Sequence, residues 1–337
     1  MVKVRVFAKR PSPLDDLNIV TINDFNTKFD IDLYQQIDDN LPTLVSKTTF
    51  NPPITPDPNP NPDPLFDRFG TKMFYPATGR IWESSWDNGI ARTWGSKGTD
   101  KRSADPQDPE CDLHCKEKGG SVITTATVDG NGILTLFGVT PRIYINDPSR
   151  TKKWFNVEMT VYFLIAKKLA GSGAHVACRL CGRSNHQNEY NCSASGTGYS
   201  YETKNSDGTN QLKKEIGHPA YSDNVISKTK GVKDGIWIGH KLIVKSQPDG
   251  SVLVQGYRDL EDGKDGGNWQ LMVEKLDKGD WKMSDKTDLG VYNKIKSCSD
   301  FKKVPTSTSI LDKPAISCYL RCDNNQIQFK KFSIREI

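Results

Sequence analysis

The stretch that decides the fold is IWIGHKLIVKSQPDGSVLVQGYRDLEDGKDGGNWQLMVEKLD, which runs from Ile236 to Asp277. Apolar and polar residues alternate on both sides of the Pro-Asp-Gly turn at 248–250, where Pro presets φ and Gly takes the left-handed position. Period-two alternation around a tight turn predicts an antiparallel hairpin. An Asp- and Gly-rich connection then leads to a third strand that starts at Trp269. The stretch therefore predicts a β-meander.

Short strands are predicted along most of the chain around this meander. A second hairpin is expected across the Asp-Gly-Asn turn at 129–131. The run from Trp154 to Ala166 has one apolar face and predicts a central strand. The sequence contains no repeat of fixed period and no long amphipathic helix. Short strands separated by Gly, Asp and Asn predict an all-β sandwich.

The order of these elements resembles concanavalin A-like (laminin-G-like) jelly-roll domains of the glucanase and polysaccharide-lyase type. The features that carry the resemblance are an aromatic strand, an Asp-Gly turn, an acidic loop, a Trp-led strand and the closing stretch QFKKFSIREI at 328–337. It extends over most of the chain from about Leu65 onward, and it implies a concanavalin-like β-sandwich, or jelly roll. Some such domains bind sugars, some cleave them and some do neither, so the fold alone leaves the activity open.

Composition shifts divide the chain into three parts. Residues 1–50 hold strand-like pieces but too few apolar residues for a core, and predict a small N-terminal arm. Residues 51–64, NPPITPDPNPNPDP, predict an extended Pro-rich linker. Residues 65–337 predict the jelly-roll domain. The arm is expected to pack on the main domain or on a partner subunit, which leaves a homo-oligomer or an assembly contact open.

Charge and hydropathy exclude several kinds of partner. The net charge of +5 arises from 46 basic and 41 acidic residues, without a Lys/Arg block that would follow a phosphate backbone, so nucleic acid is excluded. The most apolar run, at 159–166, is too short to span a bilayer, so no membrane span is expected. A mildly basic surface suits an anionic polysaccharide as the partner. No signal peptide is visible at the start, MVKVRVFAKRPSPLDD.

Eight cysteines bear on the compartment. An even count in a chain rich in Asn, Ser, Thr and Gly favours disulfide bonds and an extracellular or surface-exposed location. The alternative is zinc at Cys178-x2-Cys181, with His175, His186 and Cys192 nearby. The second Cys pair expected of a zinc ribbon is missing, so disulfides are the preferred interpretation.

Three polar pieces, at 181–186, at 199–202 with 211–218, and at 317–321, can present several groups on one face of a sheet. This set of residue types is similar to the one that jelly-roll polysaccharide lyases use. There a cationic group neutralises a uronate carboxylate, and a Tyr or His moves the proton. The resemblance implies catalytic roles for His186, His218 and Tyr319. It implies substrate binding by Arg183, Asn185, Lys214, Arg321, Trp82 and Trp86.

The match to those lyases is partial, because the strand patterns Arg-x-Glu-x-Arg, Gln-x-His and Tyr-x-Lys-x-Gly are not intact. Hydrolysis needs two suitably spaced carboxylates, and Glu202 with Glu215 is a weaker candidate pair. Trp82 and Trp86 can equally be core residues. The preferred hypothesis is β-elimination on an acidic (uronate) polysaccharide. The alternatives are a non-catalytic carbohydrate-binding module and a surface or assembly protein tethered by residues 1–50.

No cofactor is required by this hypothesis. An oxygen-rich loop carries Asp259, Glu261, Asp262 and Asp265 and can hold a structural calcium ion. The preferred interpretation of this loop is a solvated acidic turn.

Overall fold

The computed structural model describes the backbone of three strands within residues 1–50 and most of the chain from residue 65 onward. The chain divides into two compact units, Met1–Asp63 and Pro64–Ile337. The predicted linker at 51–64 lies outside the described residues. In the second unit the segments left undescribed are 98–100, 116–122, 139, 168–175, 187–195, 205–207, 219, 229–231, 233–234, 284–308 and 324–325.

The N-terminal unit contains a three-stranded sheet. Its strands are β1 (Val2–Lys9), β2 (Phe29–Gln36) and β3 (Thr43–Phe50), in the order β1-β2-β3. β1 pairs with β2 in parallel, and β2 pairs with β3 in antiparallel fashion. The sequence likewise indicates short strands in this part.

The C-terminal unit begins with a short pair, β4 (Leu65–Phe66) and β5 (Lys72–Met73), and is then built from two large antiparallel sheets. The strands of the first sheet are β6 (Ile81–Glu83), β7 (Arg92–Lys97), β10 (Ile123–Val128), β11 (Leu134–Phe137), β13 (Val157–Lys167), β19 (Ile238–Ser246), β20 (Val252–Asp259), β21 (Gln270–Asp277) and β23 (Gln326–Glu336). Their order is β21-β20-β19-β13-β23-β11-β10-β7, and β6 also pairs with β23.

The second sheet comes from the alternate segments of the chain. Its strands are β8 (Lys101–Asp105), β9 (Asp108–Cys115), β12 (Arg142–Asn146), β14 (Val176–Ser184), β15 (Gly198–Lys204), β16 (Thr209–Gly217), β17 (Ala220–Tyr221), β18 (Val225–Lys228) and β22 (Ser317–Arg321). Their order is β17-β16-β15-β14-β22-β12-β9-β8, and β18 also pairs with β16. A short 3-10 helix, Lys264–Gly266, lies in the connection between β20 and β21.

The two sheets pack face to face around one apolar core. Val157 and Met159 of β13 and Leu180 of β14 are fully buried in it. A Cβ placed on Gly182 of β14 would come within 2.8 Å of the Val157 side chain, which shows how closely the sheets approach. We call the side of the second sheet that faces this core its inner face and the opposite side its outer face. The all-β sandwich predicted from the sequence is confirmed.

The meander at 236–277 forms as predicted. β19 pairs with β20, and β20 pairs with β21, both in antiparallel register. In the turn, Gly250 has a φ of 82° and donates its N–H to the carbonyl of Gln247 at 3.0 Å. This conformation is favourable for Gly and strained for other residues.

The apolar run near residue 160 is a central strand of the first sheet, also as predicted. β13 lies between β19 and β23, and Val157, Met159, Val161 and Phe163 are fully buried. Among the described residues no helix has the length and apolar character needed to span a bilayer.

The cysteines differ from the disulfide prediction. Cys111, Cys178, Cys181, Cys318 and Cys322 are buried free thiols, whereas the other three side chains lie outside the described part of the chain. The zinc alternative at Cys178-x2-Cys181 is wrong for a geometric reason. Residues three apart on a strand point to opposite faces. Cys178 accordingly lies in the core, while Cys181 lies with two tyrosines on the outer face.

Candidate functional site

Polar side chains gather on the outer face of the second sheet, because strand alternation sends their neighbours into the core. Cross-strand register aligns Arg142, Arg321 and Arg179 on β12, β22 and β14. We call these three residues the arginine row. Two residues away on the same strands, and on the same face, Tyr144, Tyr319 and Cys181 form the adjacent row. The described face thus presents cationic and phenolic groups side by side on three neighbouring strands.

Two histidines and a glutamate meet at one end of this face. His186 follows β14, Glu215 lies on β16, and His218 follows β16. Nε2 of His186 lies 2.5 Å from Oε2 of Glu215, and Nδ1 of His218 lies 2.7 Å from Oε1. We call these residues the His–Glu–His cluster. His186 and Glu215 are buried, whereas the His218 side chain is 17% exposed.

Charge compensation within this cluster decides the state of its carboxylate. Burial by itself would raise the pKa of Glu215. The charges and hydrogen bonds of His186 and His218 outweigh burial and hold that pKa well below its usual value. Glu215 is therefore ionised and orients both imidazole rings.

Tyr319 connects the His–Glu–His cluster to the arginine row. Its ring lies 5.1 Å from the ring of His186 and 5.6 Å from that of Tyr144, both edge-on. The guanidinium of Arg142 lies 5.9 Å from its centroid. Burial raises the pKa of Tyr319 well above its usual value, so the phenol stays protonated at neutral pH.

Acidic partners compensate two members of the arginine row. Arg179 pairs with Glu202, which faces it on β15 and is fully buried. Arg321 donates from Nε to Asp323 at 2.7 Å and keeps a side chain that is 12% exposed. The third member, Arg142, donates from Nη1 to the Tyr144 hydroxyl at 3.2 Å.

Glu202 is held in a structural network, which argues against a role as hydrolytic carboxylate. Lys213 lies 3.1 Å from its Oε2, and Gln211 also donates to that oxygen. Burial would raise the pKa of Glu202, but Arg179, Lys213 and Gln211 outweigh it and lower the pKa to about 2. The other carboxylate of the candidate pair, Glu215, is held by hydrogen bonds to two histidines.

Of the residues predicted from the sequence, the ring of His186 lies against those of His218 and Tyr319, and Arg321 lies two residues beyond Tyr319 on the same face of β22. Arg183 is a correction. A register irregularity between Cys181 and Ser184 and a φ of 52° turn its side chain away from the outer face. It donates to the carbonyls of Phe155 and Leu311 at 2.9 and 2.7 Å, and also to Asn156 and Ser246. Its donors therefore stabilise the fold.

Lys214 and Asn185 are further corrections. Lys214 points to the inner face of β16, where Nζ lies 2.9 Å from Oδ2 of Asp277 on the first sheet. Asn185 accepts from the backbone N–H of Ile316 at 3.2 Å and donates to Thr197 at 3.3 Å. Both side chains are thus used in internal contacts.

Trp82 and Trp86 belong to the core and not to a sugar-stacking surface. Trp82 is 6% exposed and Trp86 is 1% exposed. Their rings pack against Phe332, with centroids 5.1 and 6.1 Å away. The indole N–H of Trp82 also donates to Asp108 at 2.9 Å. Of the two interpretations that the sequence allowed, the structure favours the core.

Sequence reasoning missed Arg142, Tyr144 and Arg179. A usable signal was present, since Arg142-x-Tyr144 and Tyr319-x-Arg321 are complementary polar pairs on strands that turn out to be neighbours. It went unnoticed because apolar residues flank each pair and because the sequence of a strand does not show which other strand pairs with it.

The acidic loop between β20 and β21 is organised by internal hydrogen bonds. Asp259 accepts from the backbone N–H groups of Glu261, Gly263 and Asn268 and from the Tyr162 hydroxyl. Asp262 is paired with Lys330 at 2.7 Å. Among the described residues, the set of three or more suitable side chains that meet closely enough for a metal ion is the His–Glu–His cluster, not this loop.

No family model matches the sequence, and no curated protein matches it. Among solved structures, the chain is similar to the VIP36 exoplasmic/lumenal domain in its Ca²⁺-bound form, with a TM-score of 0.37, 9% identity, and coverage of 70% of this chain and 87% of that one. It is also similar to an endo-β-1,4-glucuronan lyase from the fungus Trichoderma reesei, with a TM-score of 0.35, 8% identity and coverage of 76% and 90%.

A third similar structure is the marine PL-14 alginate lyase from Aplysia kurodai, with a TM-score of 0.31, 12% identity and coverage of 72% and 98%. The assignment of the fold rests on the sheet order of this chain. By that order, the described part of the C-terminal unit is an antiparallel two-sheet β-sandwich of the jelly-roll type.

Proposed function

We propose that the protein is carbohydrate-active and that the outer face of the second sheet cleaves an acidic (uronate) polysaccharide by β-elimination. One observation carries this proposal. Tyr319 lies between the His–Glu–His cluster and the arginine row, so a proton donor, a base and cationic groups share one face. These are the group types that elimination next to a carboxylate requires.

The reaction starts with neutralisation of the uronate carboxylate. A guanidinium of the arginine row pairs with it, and this lowers the pKa of the C–H bond next to the carboxylate. A base removes that proton, and the electron pair forms a carbon–carbon double bond with the adjacent carbon. The bond from that carbon to the glycosidic oxygen breaks, and the leaving oxygen takes a proton from an acid. The products are one unsaturated sugar end and one ordinary sugar end.

We assign the base role to His218. It is the most exposed member of the His–Glu–His cluster, and Nδ1 donates to Glu215. The base role requires the neutral form of His218, in which the ring donates from Nδ1 and keeps a lone pair on Nε2 to accept the substrate proton. His186 holds Glu215 from the other side and packs against Tyr319.

We assign the acid role to Tyr319. Its raised pKa keeps the phenol protonated, as an acid requires before the reaction. Arg321 is assigned to the carboxylate, because its side chain is partly exposed on the same face. A charged hydrogen bond from a guanidinium also fixes the orientation of the sugar.

A non-catalytic carbohydrate-binding module is the second candidate. The burial of Tyr319 and His186, each 1% exposed, favours it, because a substrate must reach the groups that transfer protons. Residues 1–50 would act in either case as a separate arm that joins the 65–337 domain through the linker at 51–64. We also propose an extracellular or surface-exposed location, where acidic polymers are found.

The test is a panel of uronate polymers incubated with the full chain. Ultraviolet absorbance and mass spectrometry detect unsaturated product ends, and a separate binding assay is run on the same polymers. The proposal expects unsaturated ends from at least one polymer. Binding without unsaturated ends would contradict the lyase and support the binding module. Failure to bind any glycan would contradict both candidate functions.

A further inference from the structure

We propose that the His–Glu–His cluster binds a single divalent cation of the zinc type. The three ligand atoms that His186, Glu215 and His218 can offer all lie within 4.8 Å of one another. Two imidazole nitrogens and one carboxylate form the protein ligand set of catalytic zinc sites that keep a further position for water or substrate. Calcium and magnesium prefer oxygen ligands only, so nitrogen-rich ligation selects against them.

The fold positions the three ligands before an ion arrives. Glu215 lies within β16, and His186 follows β14, two strands away in the same sheet. The backbone N–H of His186 donates to Ser184 at 3.2 Å, which fixes the end of β14. His218 stands three residues beyond Glu215 and is linked to it at 2.7 Å. The carboxylate is thus already oriented toward both rings.

Ion binding requires a small, local movement. The nitrogen–oxygen separations of 2.5 and 2.7 Å are those of hydrogen bonds. Tetrahedral zinc with bonds of about 2.0 to 2.1 Å holds its ligand atoms roughly 3.3 Å apart. Both separations must therefore lengthen. His186 and His218 lie beyond the ends of β14 and β16 and can shift, whereas Glu215 is held within β16.

The surrounding charges permit a divalent cation. Two cationic residues on the same face, Arg179 and Lys213, are both paired with Glu202. Arg321 is paired with Asp323. The carboxylate of Glu215 supplies one negative charge directly to the ion.

The ion would also regulate the proposed elimination, and this consequence rests on the proposed function. A metal on Nδ1 of His218 uses the lone pair of that nitrogen, so the ring proton moves to Nε2. The imidazole stays neutral, but Nε2 then has no lone pair with which to accept the substrate proton. Zinc occupancy and base function of His218 are therefore mutually exclusive.

The test is isothermal titration calorimetry of ZnCl₂ into the full chain after removal of metals with a chelator. The expected result is one Zn²⁺ per chain. The His218→Ala variant should bind at least about 100-fold more weakly, since loss even of a residue behind a ligand costs 10- to 100-fold. Asp262→Asn, in the acidic loop, is the matched control and should bind as the wild type does. Circular dichroism checks that each variant is folded.

A Co²⁺ titration distinguishes this site from a cysteine site. Cobalt bound by imidazole and carboxylate shows visible d–d bands without the intense thiolate charge-transfer band. No stoichiometric zinc binding, equal binding by His218→Ala, or a thiolate band would each overturn the proposal. Zinc binding without any lyase activity in the metal-free protein would instead contradict the proposed function and leave the metal site standing.

Discussion

Lys214 and Asp277 form an ion pair that joins the two sheets through the core, with Nζ and Oδ2 2.9 Å apart and both side chains fully buried. The Tyr199 hydroxyl also donates to this carboxylate oxygen at 2.8 Å. Breaking a buried pair by removal of one partner leaves an uncompensated charge in the interior.

Lys214→Ala is therefore expected to lower the free energy of unfolding by about 3 to 5 kcal/mol. Urea denaturation followed by fluorescence measures this change. Lys275→Ala, which removes a surface pair with Asp280, is the control and should change stability far less, because solvent screens an exposed pair. If Lys214→Ala kept full stability but lost polymer binding, this result would contradict a structural role and assign Lys214 to the binding site.

This pair illustrates what the sequence can and cannot predict. Alternation predicts that Lys214 and Glu215 face opposite sides of β16, and they do. Leu212 and Ile216 have the parity of Lys214 and are buried, so the pattern indicates that Lys214 points to the core. A lysine at such a position needs an acidic partner, which the local sequence does not reveal. That partner, Asp277, lies on the other sheet, 63 residues away.

More of the fold than of the site could be predicted from the sequence, because the site depends on contacts between distant segments. The meander and the central strand follow from local alternation and turn residues, which the sequence displays directly. The site depends on which strands become neighbours, as with Tyr319 of β22 between β12 and β14. Arg183 was misplaced because a bulge with a positive φ breaks the alternation. Gly182 was the available signal, since a glycine within a strand often marks a bulge.

Trp82→Ala should destabilise the protein without weakening polymer binding. The ring packs on Phe332, and truncation of a buried Trp costs about 3 to 5 kcal/mol. Thermal unfolding measures the loss of stability, and a binding isotherm at a temperature where the variant is folded measures affinity. Trp82→Phe should lose less stability than Trp82→Ala. Unchanged stability together with lost affinity would restore the sugar-stacking interpretation.

We expect the titration of His240 to make the protein less stable in mild acid. This residue is fully buried, stacks on Tyr201 with centroids 4.0 Å apart, and burial lowers its pKa to about 3. In the unfolded chain a histidine has a pKa near 6.5. The unfolded state therefore binds the proton first, so the contribution of His240 is fully present above about pH 6.5 and is lost as the pH falls toward 3.

The measurement is the free energy of unfolding at several pH values between 7 and 4. His240→Phe keeps an aromatic ring against Tyr201 but does not titrate, so its stability should fall less steeply over this range. Identical slopes for the variant and the wild type would show that other groups govern the acid sensitivity.

The buried thiols should be unreactive in the folded protein. Burial raises the pKa of Cys178 and Cys322 well above the usual value, and only the thiolate reacts readily. Alkylation without a reductant, followed by peptide mass spectrometry, should label the five described thiols after denaturation and not before. Disulfide-linked peptides that contain Cys178 or Cys318 would contradict this prediction.

The most direct test of the account compares elimination rates of the wild type, Tyr319→Phe and Tyr257→Phe on the best uronate polymer from the panel. Tyr257 lies on β20 of the first sheet and serves as the matched control. Loss of proton transfer costs roughly 100- to 10,000-fold in rate. The account predicts that Tyr319→Phe releases unsaturated product slower by this factor while still binding the polymer, and that Tyr257→Phe matches the wild type. An unchanged rate in Tyr319→Phe would contradict it.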